Sequence, residues 1–422
     1  MTIVAADGDT VTLGDDGVVR ADLGDGRLVM DRRTLLKALA SSGLLSLPLG
    51  AGGCAPPPPI TVPGNRKFRH PESEADLVRL VNEARSRRVQ LRVRGSLHSF
   101  EGAIFTDPGD DNINVQLDRY NRIVVWDDAR MQVTVQSGMH LGIDPIDPGS
   151  NQGNSLLFAM NQRGWALPDL GGISHQTVGG FLSTGSMGGS IHFDFAESIA
   201  CIRLVAGDGK IYELEANPSD PHDSDTNPFY GAAVSMGLYG ILSTVTFQCV
   251  PRYDVIGKQS SRVYEKCPVD VFGGKDGGLE KWMSDSEYNR VLLWPQKSVK
   301  KVQLWSARRA TTADAPKTDH DGRFQPKPFA QVPELLQSLA YQIYKYIDQK
   351  PPPYPEFKVG VMRDTINTFI SEGDEEFWDS WFECLPMDNK VSDRFLPTEF
   401  TELFIDMSRT QEVMKTLHDF WE

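Results

Sequence analysis

Cysteine is scarce in this chain. There are five in 422 residues, at positions 54, 201, 249, 267 and 384, and no two are spaced Cys-x-x-Cys. A zinc ribbon and a thioredoxin-type redox pair are therefore excluded, and the last four read as buried free thiols. Basic charge is short as well. Lys and Arg number 43 against 57 Asp and Glu, a net charge of −14. So acidic a chain is not expected to have nucleic acid or an anionic membrane surface as its main partner. After residue 54 no apolar run approaches the ~18–20 residues of a membrane-crossing helix, so no transmembrane span is expected. Several signatures are missing: GxGxxG, the phosphate-binding P-loop, HExxH and GxSxG. Their absence leaves a Rossmann dinucleotide site, a zincin-type metal site and a nucleophile elbow without support. No metal site is expected.

What remains is ordinary globular material. The chain is 40% hydrophobic and 24% charged, and long enough for two or three domains. Residues 1–29 are acidic and Gly-rich, and read as a solvated tail or as translated sequence ahead of a start at Met30. From Met30 the text changes. Arg32-Arg33 and Lys37 precede a small apolar run, Ala38 to Gly53, and then Cys54. A basic segment, an apolar segment and small residues make an export-signal pattern, and the paired arginines resemble a twin-arginine signal. Pro56 to Pro59 form a stiff spacer. Export is the expectation if residues 30–54 act as that signal, and a cytoplasmic location otherwise. Residues 1–64 thus read as tail, signal-like segment and linker.

Folded sequence begins near Phe68. Leu77, Leu80, Val81 and Ala84 share one face of a helix spanning Ser73 to Arg87. Val89, Leu91 and Val93 alternate as a strand, which breaks into Arg94-Gly95-Ser96-Leu97-His98-Ser99-Phe100. Small residues let a loop approach a ligand closely, and successive loop N–H groups can hold an anion. Taken alone, the stretch reads first as a tight turn with a surface His; the alternative is an imidazole presented to a bound cofactor. A second stretch, Leu167 to Ser190, holds seven Gly. Interleaved Leu170, Ile173, Val178, Phe181 and Leu182 argue against a flexible linker and for backbone wrapped around a flat ligand. Ile202–Ala206 and Lys210–Leu214 form a hairpin across Gly207-Asp208-Gly209. Asn227-Pro228 starts a short helix that leads to Val234-Ser235-Met236-Gly237-Leu238-Tyr239-Gly240-Ile241.

In order and spacing, these three stretches make the chain resemble the FAD-linked oxidases of the vanillyl-alcohol oxidase type. The sugar-lactone and alditol oxidases are the most similar branch. The resemblance covers roughly Asn65 to Pro251. It implies an α+β chain, with a two-part FAD-binding domain of p-cresol methylhydroxylase type over 65–252 and an α+β cap domain over 253–422. It places His98 where the flavin 8α-methyl is bonded covalently. It puts Arg94, Gly95, Ser96 and Leu97 on the pyrophosphate, with Ser99 beside them. Asp169, Gly171, Gly172 and Ser174, with Ser183, Thr184, Gly185 and Gly188, would wrap the ribityl chain and the isoalloxazine. Gly240 and Ile241, with Gly237, would lie towards the adenosine. Gly171 falls beside flavin C4a, where a missing side chain leaves room for dioxygen. Two departures stand out. Ser186-Met187-Gly188 replaces a Thr-His-Gly common in relatives, which makes the pocket more apolar. The relatives also continue past the position of Glu422 with substrate-contacting strands and a His-Trp-Gly-Lys segment, so the cap reads as truncated.

The chemistry implied is oxidation of a CH–OH group of a polyol, sugar lactone or related alcohol. Hydride passes to flavin N5, and dioxygen returns as hydrogen peroxide. Two alternatives stay open: a dehydrogenase with a non-oxygen acceptor, and an incomplete flavin-binding remnant. Glu399 and Glu402 are weak candidates for the catalytic base, since an acid on a strand is more often a solvated group. Past Tyr253 the residues alone show a second packed unit. Val291–Trp294 and Val302–Trp305 read as buried strands, Leu335 to Ile347 as a helix, and Val413 to Phe420 as another. Neither oligomeric state nor substrate identity is encoded legibly.

Overall fold

The computed structural model describes strands between residues 2 and 31, and residues 67–314 except 110, 194–197, 218, 220–224 and 273–277. Beyond 314 it describes 363, 366–367, 370, 372–389 and 403–421. The export-like stretch beyond Asp31, the proline spacer, the 335–347 helix and both Glu399 and Glu402 lie outside the described residues.

Strands β1 (Thr2–Val4), β2 (Thr10–Leu13), β3 (Val18–Leu23) and β4 (Gly26–Asp31) pair consecutively and antiparallel. This meander stands where composition was read as a solvated tail. Val11 and Leu13 flank Thr12, Val19 and Ala21 flank Arg20, and Leu28 to Met30 is an apolar run, a short-strand pattern that bulk composition hides.

The next unit opens with β5 (Phe68–Arg69) and α1 (Glu74–Arg87). Ser73 caps α1. Its hydroxyl accepts from the Asp76 amide, and the Asp76 carboxylate accepts from the Ser73 amide, a reciprocal capping box. β6 (Leu91–Arg94), α2 (Glu101–Ile104) and β7 (Ile113–Gln116) follow. The order β5-β7-β6 makes a parallel sheet under α1. Leu77, Leu80, Val81 and Ala84 are buried there against Ile113, Val115 and Ile241. β6 delivers the His98 loop at its C-terminal end, the usual position for ligand sites on parallel strands.

The larger sheet uses β8 (Ile123–Asp127) and β9 (Gln132–Gln136). After α3 (Leu156–Gln162), β10 (Trp165–Ala166) and α4 (Val178–Ser183) it adds β11 (Ile199–Ala206) and β12 (Ile211–Glu215). After α5 (Pro228–Ala233) comes β13 (Gly240–Gln248), giving the antiparallel order β12-β11-β13-β9-β8. α4 lies inside the Gly-rich run, and Thr177 caps it by accepting from the Gly180 amide.

The chain then pairs β14 (Val250–Pro251) with β10 and enters a second antiparallel sheet. It is built from β15 (Asp254–Val263), α6 (Leu279–Ser284), β16 (Tyr288–Trp294), β17 (Lys301–Arg309) and β18 (Gly373–Ser380), in the order β16-β17-β15-β18. Val302 to Trp305 are buried as read, whereas Val291 to Trp294 are half-buried. α7 (Trp381–Cys384) and α8 (Thr410–Trp421) complete the described chain. One core crosses between the units. Val133, Val245 and Phe247 pack in the same cluster as Tyr288, Trp305, Phe377 and Trp381. Cys201 and Cys267 are half-buried, Cys249 and Cys384 buried, and none of these four is in a disulfide. Burial pushes the Cys249 thiol up to about 12, which makes it inert.

Candidate cofactor site

The loop after β6 turns sharply because Leu97 takes a left-handed conformation, φ +71°. Gly95 lets it close on the Gly-rich run, for a Cβ there would collide with the Thr177 hydroxyl. Ser96 is buried, and its Oγ lies 3.3 Å from His140 Nδ1. His140 in turn sits 3.7 Å from Asp144 and 3.6 Å from Asp147. Burial pushes the His140 imidazole down, and the two carboxylates pull it back only in part. His98 is half-buried, with Nε2 3.3 Å from the His175 carbonyl oxygen. A carbonyl only accepts, so this contact puts the ring hydrogen on Nε2.

Upstream of Thr177 and His175 in the same Gly-rich run is the backbone of 169–174. Gly172 faces open space, with no atom within 4 Å of where a Cβ would stand. Gly171 does not: its Cβ would come 2.9 Å from the Phe181 ring. A short segment after α7 docks on this loop like an extra strand. The Met387 and Asp388 amides donate to the Gly172 carbonyl at 2.8 and 2.9 Å, and the Ser174 amide donates to the Asp388 carbonyl at 3.0 Å. The Ser174 hydroxyl donates to Asn389 Oδ1 at 2.6 Å.

Asp169 stands at the junction with the second sheet. Its carboxylate fills the place where a Gly188 Cβ would go, and it accepts from the Leu170 amide at 2.8 Å. Burial pushes its carboxyl up to about 7, against the pull of Arg309 and Arg290. Burial likewise lowers Arg290 to about 10. The Pro168 carbonyl accepts from the Tyr288 hydroxyl at 2.7 Å and from Arg309 Nη2 at 3.1 Å, while the Tyr253 hydroxyl donates to the Leu167 carbonyl at 2.9 Å.

The residues singled out from the sequence are thus partly brought together. Gly95 and His98 meet the Gly-rich run at Thr177 and His175, just past 169–174. The Arg94 guanidinium donates to Gln116 at 2.6 Å and to the Gly95 carbonyl at 3.3 Å, and it lies over Phe68. Ser99 is half-buried beside His98. Ser183 accepts the Met236 amide through its carbonyl, and the Thr184 hydroxyl donates to the Gly180 carbonyl. Gly185 has φ +66° and packs on Val234. Gly240 abuts the β11 backbone, and the Ile241 side chain is core under α1, so neither offers a side chain to the site. Sequence reasoning missed His140, His175, Asp388, Arg290 and Arg309. A lone imidazole in a Gly-rich run was the available signal for His175; the others come from distant text.

The described cradle fits a flat, phosphate-bearing cofactor: small residues, open space at Gly172 and a loop of close-approaching backbone. Residues 66–143 match the family model of an FAD binding domain. The fold is that of the FAD-linked oxidases with a p-cresol methylhydroxylase-type domain. It is similar over 87% of the chain to a cholesterol oxidase from Brevibacterium sterolicum, with TM-score 0.59, 12% identity and 70% of that chain covered.

Among curated proteins, a putative D-arabinono-1,4-lactone oxidase of Neurospora crassa is 28% identical over 58% of this chain and 39% of its own length. The D-arabinono-1,4-lactone oxidase of Saccharomyces cerevisiae is 29% identical over 58% and 42%. The L-gulonolactone oxidase of Mus musculus is 26% identical over 58% and 47%. The chain spans less than half the length of these relatives.

Proposed function

We propose that this chain is an FAD-dependent oxidoreductase that oxidises a CH–OH group of a sugar lactone, polyol or related alcohol. One observation carries the reading: the His98 loop closes on the Gly-rich run at Thr177 and His175, a few residues from the open space at Gly172. When bound, FAD would supply a hydride acceptor for the substrate carbon and a route for the electrons to dioxygen. The chain's own part is to bind and orient. Backbone amides of 95–97 hold the pyrophosphate. With the hydrogen on Nε2, the His98 lone pair is on Nδ1, the nitrogen assigned here to the bond at the 8α position. Asp169, near neutral pKa, holds a proton at the rim of the Gly-rich loop.

A second reading, a dehydrogenase with a non-oxygen acceptor, is favoured by Phe181, whose ring occupies the space beside Gly171 that dioxygen would use. Slow peroxide release with fast dye reduction distinguishes it. The first test is acid precipitation of the purified protein, with His98→Ala beside it. Flavin fluorescence in the washed wild-type pellet, absent from the variant, is the expected result, followed by peroxide release in a lactone and polyol screen. A folded protein without any flavin refutes the reading.

A further inference from the structure

Two imidazoles lie against each other in this site, and one of them has no part in the function proposed so far. His175 is fully buried. Its ring centroid is 4.6 Å from that of His98, with the planes inclined by 60°. Among the described residues neither of its ring nitrogens makes a hydrogen bond. Nε2 lies 3.4 Å from an Asp388 carboxylate oxygen, within ion-pair range but out of line for a hydrogen bond. Simple packing beside His98 would be served by a phenyl ring without burying two polar nitrogens. The carboxylate does not arrive by accident of a flexible side chain. Asp388 is tied through its backbone to Gly172 and Ser174, so its carboxylate is delivered to His175 at a fixed place.

We propose that His175, oriented by Asp388, is a positioning residue that holds the His98 imidazole for attachment to the flavin. The inference rests on the reading of His98 as the attachment point. Attachment joins an imidazole nitrogen to the flavin 8α carbon. One hydrogen leaves that carbon and one leaves the imidazole. With two electrons they pass through the ring system to dioxygen, which becomes hydrogen peroxide. None of these atoms belongs to His175. Its part is to hold the His98 ring, through the backbone carbonyl that accepts from Nε2 and the imidazole beside it, and Asp388, drawn to His175 Nε2, keeps both in place, a hold that a phenyl ring would not offer. The attached fraction then depends on a contact between the first and second units of the chain.

The test compares acid-stable flavin with total flavin in the full chain, for wild type, His175→Phe, Asp388→Ala and Asp388→Asn. His175→Phe keeps an aromatic ring and loses both nitrogens. Asp388→Asn keeps an oxygen that can accept from Nε2. The expected result is a severalfold fall in the attached fraction for His175→Phe and Asp388→Ala, with total flavin close to wild type and most attachment retained in Asp388→Asn. An unchanged attached fraction in the first two variants overturns the proposal. So does a loss of total flavin in step with attached flavin, which would mark a merely structural role. Wild type with no attached flavin, or His98→Ala with attachment intact, overturns the reading beneath it and the proposal together; both outcomes show before any His175 variant is measured.

Discussion

Replacing Asp169 by Asn is expected to change how stability responds to pH. Burial raises the Asp169 carboxyl from the ordinary 3.8 to about 7, outweighing its hydrogen bond from Leu170 and the nearby guanidiniums of Arg309 and Arg290. The folded chain therefore keeps this proton over a range where the unfolded chain has released it. Stability from the group is complete below the ordinary carboxyl range and is lost as pH rises through about 7. About three units at ~1.4 kcal/mol each give up to about 4 kcal/mol across that span. The side chain keeps some contact with solvent, which reduces the figure. Asn has no proton to lose here. Urea denaturation of wild type and Asp169→Asn at pH 5, 6, 7 and 8 isolates the group, because all other titrations are common to both chains. The stability difference should move in favour of Asn by about 2–3 kcal/mol between pH 5 and 7, at ~1.4 kcal/mol per unit, and level off above that. A flat difference, or one that moves towards Asp as pH rises, refutes the argument.

The two adjacent glycines should separate packing from cofactor binding. Gly171→Ala drives a methyl against the fully buried Phe181 ring, so a loss of about 1–3 kcal/mol is expected by chemical denaturation, partly recovered by adding Phe181→Leu. Gly172→Ala meets no atom within 4 Å, so the melting temperature of the flavin-free protein should be unchanged while the flavin-to-protein absorbance ratio falls. Full flavin content in Gly172→Ala would show that the open space does not belong to the cofactor.

Local elements were legible because their signals are local. Ser73 and Asp76 mark the start of α1, Asn227-Pro228 starts α5, Gly209 at φ +81° turns the β11–β12 hairpin, and Gly164 at φ +79° follows α3. The His98 loop followed from alternation ending in small residues. What stayed hidden depends on contacts between distant parts of the chain. Nothing near Asp388 announces that its segment will dock on Gly172. Asp169 looks like a turn carboxylate until Arg290 and Arg309 arrive from the second sheet and bury it. The Arg94 guanidinium is held by Gln116 on the neighbouring strand as well as by the Gly95 carbonyl, and strand alternation sends the Ile241 side chain into the core.

The Pro168 carbonyl, held by Tyr288 and Arg309, and the Gly172 carbonyl, held by Met387 and Asp388, make residue 252 a change of topology without a break in cooperativity. Each bond has one half in the Gly-rich loop and the other in the later sheet or its trailing segment. A cut at that boundary would strand buried carbonyls on one fragment and buried donors on the other. Grafting a different second unit onto this frame, to redirect specificity, would have to carry Tyr253, Tyr288, Arg309 and the 385–389 segment along with it. The Gly-rich loop is finished by residues that lie 86 and more positions downstream.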